Sequence, residues 1–298
     1  MSKVERTRTR GRNARERLAA QRAAGRQAER RKRILIAVTG VSLAVVLAIV
    51  LVIVRPGASS PGSSAIGTAA QDVAVAGAVT TIPAATFDSV GAGTATGLTA
   101  TSGQPLLTSG GKPEVLYMGG EYCPFCAAER WALTAALSRF GTFTGLGLIH
   151  SSPTDVYAST PTLSFYGSGY TSKYVSFTPV EWFGEADDAS SPFGHVYLQQ
   201  PTSQEAALFS RYANGSVPFV DIGNHYLLPQ AQYVPSALHG MSWSQVAAAM
   251  RTPSSTVGKD IDGAANIITA AICKITNGQP GGVCSSAAVT TAAGSLSN

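Results

Sequence analysis

The chain has 298 residues, 45% of them hydrophobic, and a formal net charge of +5 at pH 7. Residues 1–33 hold 13 of the 22 Lys and Arg against three acids, so the remainder of the chain is net −5. The basic balance belongs to a tail, and no aromatic residue stands among its arginines to stack on a base, which argues against a nucleic acid as partner.

The tail, 1–33, ends in Arg30-Arg31-Lys32-Arg33. Residues 34–54 follow, 21 positions without a charge and long enough to cross a bilayer as one transmembrane helix. Only Arg55 flanks the far side. The positive-inside rule places the N-terminus in the cytoplasm and the C-terminal part outside, as in a single-pass cell-membrane protein. A cleaved signal peptide would have a shorter apolar core and a small-residue cleavage site, and none is clear after Val54. Residues 55–72, rich in Gly, Ser, Ala and Pro, read as a flexible linker. Residues 73–298 read as one extracytoplasmic domain.

Within that domain, Pro83 near the start and Gly91 at the end make 82–91 a short helix. Residues 115–118 are an apolar run that reads as a buried strand. A helix starts at Pro124, with Trp131, Leu133, Ala135, Leu137 and Phe140 as apolar surface and Gly141 as its stop. Residues 143–149 read as a second core strand. The runs 162–166 and 174–177, separated by Gly167-Ser168-Gly169, read as an inserted strand hairpin. A helix at 204–212 ends before Asn214-Gly215. Residues 216–222 are a strand with Pro218 at its entry, and Gly223-Asn224 turns it into 225–228. A serine-capped helix at 242–250 and a last helix at 261–275 complete the pattern of one α/β domain on a mixed sheet.

All four cysteines lie beyond residue 54, on the side where disulfides persist. Cys123-Pro124-Phe125-Cys126 stands between a strand and a helix, the order in which a thioredoxin-like redox site reads. Residues at i and i+3 share a helix face. The helix start offers unsatisfied N–H groups and the positive end of the dipole, which favour a thiolate, the nucleophilic form. Cys123 is therefore the attacking thiol and Cys126 the resolving one. Pro218 stands where a cis-proline faces such a pair, with Val217-Pro218 docking an extended substrate segment. A structural pair usually closes a longer loop, and a zinc site wants two further ligands at short spacing. Cys273 and Cys284, bracketing a turn-rich loop, read as a structural disulfide, with an electron relay as the alternative. Glu121, Glu129 and Arg130 beside the cysteines read as a solvated helix face. The histidines are scattered, and of these only His150 ends a strand from which it could reach the site.

The string Gly120-Glu-Tyr-Cys-Pro-Phe-Cys-Ala-Ala-Glu-Arg-Trp131 and the later Ala271-Ile-Cys-Lys-Ile-Thr-Asn-Gly-Gln-Pro280 with Cys284 resemble an uncharacterised thioredoxin-like family. It is domain-of-unknown-function family 929, made up of membrane-anchored actinobacterial and archaeal proteins. The resemblance implies the fold and a redox-type motif, and no substrate. Pro124-Phe125 is similar to the Pro-Tyr of glutaredoxins, and Val217 before Pro218 to disulfide-introducing oxidases. The histidine those oxidases place between their cysteines is missing.

The expectation is thus an α/β thioredoxin-like fold with an inserted hairpin and C-terminal helices. Its activity would be that of a membrane-anchored thiol–disulfide oxidoreductase acting on cysteines of envelope or secreted proteins. It would need no cofactor and no metal, and would exchange electrons with a membrane redox partner or another thiol protein. Two alternatives stand beside it: a non-catalytic thioredoxin-like module for binding or envelope assembly with a closed disulfide, and a copper-handling protein.

Overall fold

The computed structural model describes residues 67–191 and 193–296. The expected tail (1–33), membrane span (34–54) and most of the expected linker (55–72) lie outside the described residues. Among the described residues no single helix is long and apolar enough to cross a membrane.

Helix α1 (Ala69–Thr80) begins inside the stretch expected to be linker, because Thr68 and Gln71 form a reciprocal capping box. Helix α2 (Ala84–Val90) ends where Gly91 takes φ +61° and bonds back to the Phe87 carbonyl. Strands β1 (Thr99–Ala100), β2 (Thr108–Ser109) and β3 (Lys112–Gly120) lead into helix α3 (Pro124–Leu137). Four short strands follow: β4 (Gly141–Thr144), β5 (Gly147–His150), β6 (Pro161–Ser164) and β7 (Gly169–Ser172). The chain continues as β8 (Ser176–Asp187), β9 (His195–Tyr197), α4 (Ser203–Tyr212), β10 (Phe219–Ile222) and β11 (Tyr226–Leu228). It closes with α5 (Trp243–Met250), α6 (Thr256–Ile275), α7 (Gly281–Cys284) and α8 (Ala287–Ala292).

The central sheet runs β1-β11-β10-β3-β8-β9, with β2 paired to the start of β3. Strands β3 and β8 are parallel, and the other pairings are antiparallel. The alternation of β3 explains its place at the centre. Val115 and Tyr117 join Trp131, Leu133 and Ile268 of α3 and α6 in one core cluster. Leu116 and Met118 join Val180, Phe209 and Phe219 in another, beneath α4. Successive side chains on a strand point to opposite faces, so a continuous apolar run marks a strand covered on both.

Two expectations fail between α3 and β8. The single strand expected at 143–149 is broken at Gly145, which has φ +69°. Its halves are β4, paired with β7, and β5, paired with β6, in two separate ladders. The hairpin expected from 162–166 and 174–177 does not form either. Gly167-Ser168-Gly169 turns the chain into β7, while Phe177 lies in β8 of the central sheet. Helix α3 also stops at Leu137, before Gly141. That glycine opens β4 instead, where a Cβ would lie 2.3 Å from the Thr171 carbonyl of β7.

Candidate functional site

Strand β3 delivers the chain to the site. The Cys123 N–H bonds the Gly120 carbonyl at 3.2 Å, which turns the backbone off the strand. Cys123 is then the N-cap of α3, with φ −80° and ψ 122°, and Pro124 takes the first helical position. A proline there costs nothing, since that N–H has no helical acceptor. The Cys123 sulfur accepts the Cys126 backbone N–H at 3.4 Å, doing what a serine or aspartate does at other helix starts.

Both cysteines are free thiols, Cys123 5% exposed and Cys126 fully buried. Their acidities diverge. A hydrogen bond from the Cys126 thiol pulls Cys123 below the ordinary cysteine range, against the opposing effect of burial. The Cys126 backbone N–H and the nearby Arg130 charge add to that lowering. Burial, followed by that same hydrogen bond, holds Cys126 well above the range. Of the two thiols Cys123 therefore gives up its proton first, and the negative charge then sits on Cys123 and not on Cys126.

Strand β10 brings the second half of the site. Phe219 pairs with Met118 of β3, so the residues just before β10 lie beside the start of α3. The Val217–Pro218 peptide is cis, the isomer the sequence position calls for. The Val217 carbonyl is 3.8 Å from the Cys123 sulfur and accepts its proton when Cys123 is a thiol.

Behind the cysteines lies a charge that the sequence reading placed in solvent. Arg130 and Glu129 are both fully buried, because α3 is packed between the central sheet and α6. Arg130 Nε and Nη2 donate to the two oxygens of Glu181 on β8, each at 2.7 Å. Nη2 also donates to the Gly120 carbonyl at 2.9 Å, the same oxygen that accepts from Cys123. Glu181 is aimed inward where β8 carries a one-residue irregularity, between the pairings Gly119–Glu181 and Gly120–Phe183. Arg130 Nη1 and the Tyr117 hydroxyl, both buried, have no hydrogen-bond partner among the described residues. The signal for Arg130 was available in its spacing. It stands four residues after Cys126 and seven after Cys123, on the cysteines' own face of the helix.

Aromatic rings border the cysteines. Tyr122 stacks on His195 at 3.9 Å between ring centroids, and Phe125 meets Tyr157 edge-on at 5.7 Å. Glu121 accepts from the Ser164 hydroxyl, and burial raises its carboxyl above the usual range. His150 packs on Trp243 at 4.3 Å.

The structure thus brings Cys123, Cys126, Val217 and Pro218 together. Cys273 and Cys284 form their own disulfide, with Cα atoms 5.5 Å apart, joining the end of α6 to the end of α7. Among the described residues no group of three or more His, Cys, Asp or Glu is arranged to hold a metal ion.

No curated protein and no solved structure matches the chain. The sequence model of one family, described as a domain of unknown function (DUF929), matches residues 100–274. The matched stretch runs from the last residue of β1 through all but the last residue of α6. It contains Cys123, Cys126, Arg130, Glu181 and Pro218, and it includes Cys273 while stopping short of Cys284. Covering more than half of the 298 residues, the match shows that the chain belongs to this family of unknown function.

Proposed function

We propose that the protein is a thiol–disulfide oxidoreductase with a thioredoxin-like fold, held at the outer face of a membrane by residues 34–54. The observation that carries the reading is the pair of free thiols at the start of α3, with acidities pushed in opposite directions. Fold connectivity supports it. A parallel β3-α3-β8 unit is followed by the antiparallel β10–β11 hairpin, with β10 beside β3, which resembles thioredoxin-like topology.

In the reducing direction the Cys123 thiolate attacks one sulfur of a client disulfide. A Cys123–client bond forms, the client S–S bond breaks, and the departing client thiolate takes a proton from water. Cys126 then gives up its proton and attacks the Cys123 sulfur. The internal disulfide closes and the second client thiolate leaves. The second client thiolate takes up the proton that Cys126 gave up. The protein thus loses two electrons and one proton, water supplies the other proton, and the client gains two electrons and two protons. Run backwards, the same steps oxidise a client dithiol. The clients would be cysteine-bearing envelope or secreted proteins, and a membrane redox partner or another thiol protein would reset the site.

Purified full-length protein in detergent should turn over a model disulfide peptide with a thiol reductant. Cys123→Ser should remove the activity, and Cys273→Ser should keep most of it. Equal turnover by wild type and Cys123→Ser would sink the proposal.

A further inference from the structure

A second arginine, partly buried, has no use in the redox reading. Arg139 follows the end of α3, and its guanidinium is held by neutral atoms. Nη1 donates to Asn266 Oδ1 at 2.9 Å and to Thr269 Oγ1 at 3.4 Å, and Nη2 to Ser286 Oγ at 3.2 Å. Its face covers the Phe87 ring at 4.7 Å. Among the described residues the ion pairs are Arg130–Glu181 and His195–Asp187, so Arg139 makes no direct ion pair. Asp88 is close enough to be felt, but its Oδ1 accepts the Ala288 N–H at 3.0 Å. Burial draws the Arg139 pKa down to about 10. A cation partly removed from water without a direct ion pair carries a cost that a bound anion relieves.

Arg139 also lines a cavity of about 190 Å³ between the ends of α1 and α3, helix α2 and α7. Its other walls include Val79, Ile82, Phe87, Ala135 and Val283, with the Ser286 hydroxyl at the polar end. Ser286 accepts from Arg139 and keeps its own proton to donate. The C-terminal wall is held in place by the Cys273–Cys284 disulfide. The volume is below the usual range for drug-sized ligands and suits a small molecule. The Thr80 and Ser138 hydroxyls also line the cavity, but each donates to a carbonyl of its own helix, Ala76 at 2.8 Å and Thr134 at 2.6 Å. One cation, one hydroxyl with its proton still to give, and apolar walls match a single carboxylate on a short apolar body. A phosphate would want more donors.

We infer that this cavity is a binding site for a small organic monocarboxylate, its carboxylate on Arg139 and Ser286 and its apolar body against Val79, Phe87 and Val283. Most of the lining lies outside residues 100–274, so the site is built by the segments that flank the family match. It is independent of the cysteine pair.

The test is a titration of the full-length protein in detergent, followed by thermal unfolding and calorimetry. The probes are sodium butyrate, its neutral isostere butyramide, and sodium chloride at matched ionic strength. Butyrate should raise Tm saturably, with half-saturation on the order of 1 mM for so small a ligand. Butyramide and chloride should not. Arg139→Gln should abolish the butyrate response, and Cys123→Ser should leave it unchanged. Ala84→Phe, at an exposed position on the cavity wall, should weaken binding at least about tenfold. No saturable butyrate response, an equal response to butyramide or chloride, or full retention in Arg139→Gln would overturn the inference. Should Arg139→Gln fail to fold, unchanged butyrate binding in Ala84→Phe overturns it equally.

Discussion

Arg130 shows how one buried side chain ties stability to reactivity. Its pairing with Glu181 locks α3 to β8, and its charge favours the Cys123 thiolate. Breaking such a pair by removing one partner costs about 3–5 kcal/mol, while replacing both with apolar residues of similar volume is close to neutral. The two roles can therefore be separated. Arg130→Met should destabilise strongly by leaving Glu181 unpaired. The double change Arg130→Met with Glu181→Leu should recover most of the Tm. In that double variant the Cys123 alkylation profile should still move to higher pH than in wild type. A recovered Tm with an unmoved profile would show that Arg130 has no electrostatic role at the site.

Two other buried acids place the protein's stability under pH control. Burial raises the carboxyls of Glu129 and Asp262 to about 8, so both are protonated in the folded chain at neutral pH. In the unfolded chain they ionise near pH 4. Between those values the folded state holds a proton that the unfolded state has released. Stability therefore falls as pH rises through this window, by about 1.4 kcal/mol per unit for each group, and levels off above the folded pKa. Asp262 has both carboxyl oxygens buried without a hydrogen-bond partner among the described residues. Asp262→Asn should accordingly gain Tm relative to wild type as pH goes from 5 to 8. A constant difference across that range would refute the assignment.

At the level of elements, legibility followed how far each signal was local. Helix α5 sits where Ser242 caps it, and the β10–β11 hairpin where Gly223-Asn224 turns the chain. The C-x-x-C helix was equally plain, since Pro124 and the apolar residues after it need no knowledge of the rest of the fold. What no local signal carried was that the helix is covered on nearly every side: of 14 residues in α3 only Phe125 is not buried, so Glu129, like Arg130, could not be solvated. The ladders between α3 and β8 were misread for another reason. Short strands with mixed polar and aromatic residues accept several partners, and the choice is made by which neighbours the fold supplies. Helix α6 starts at Thr256 and not at the expected 261, because Ser255 caps it, a local signal that the sequence reading passed over. Glycine in α6 makes the same point about context. In an isolated helix Gly→Ala is worth up to about 1 kcal/mol of added stability. At Gly263 a Cβ would lie 2.5 Å from the Ala92 carbonyl and 2.9 Å from Gly93 Cα. Gly263→Ala should therefore lower Tm, whereas a rise would mean that the loop after α2 can move away from α6.

Across the whole molecule the layers divide the work. The family match takes in most of the central sheet and helices α3 to α6, while α1, α2 and α7, with the end of α3, frame the Arg139 cavity. The pairing of the four cysteines follows the same division. Cys123 and Cys126 are reduced within the matched stretch, and Cys273 reaches beyond it to Cys284. The folded chain thus holds two sulfur couples at different settings, with room for two electrons in each. Under the proposed function the first would cycle while the second stays closed, so a count of electrons stored per molecule would not equal a count of electrons passed on. On that reading the closed couple is ballast in the tally, and the open one is the current.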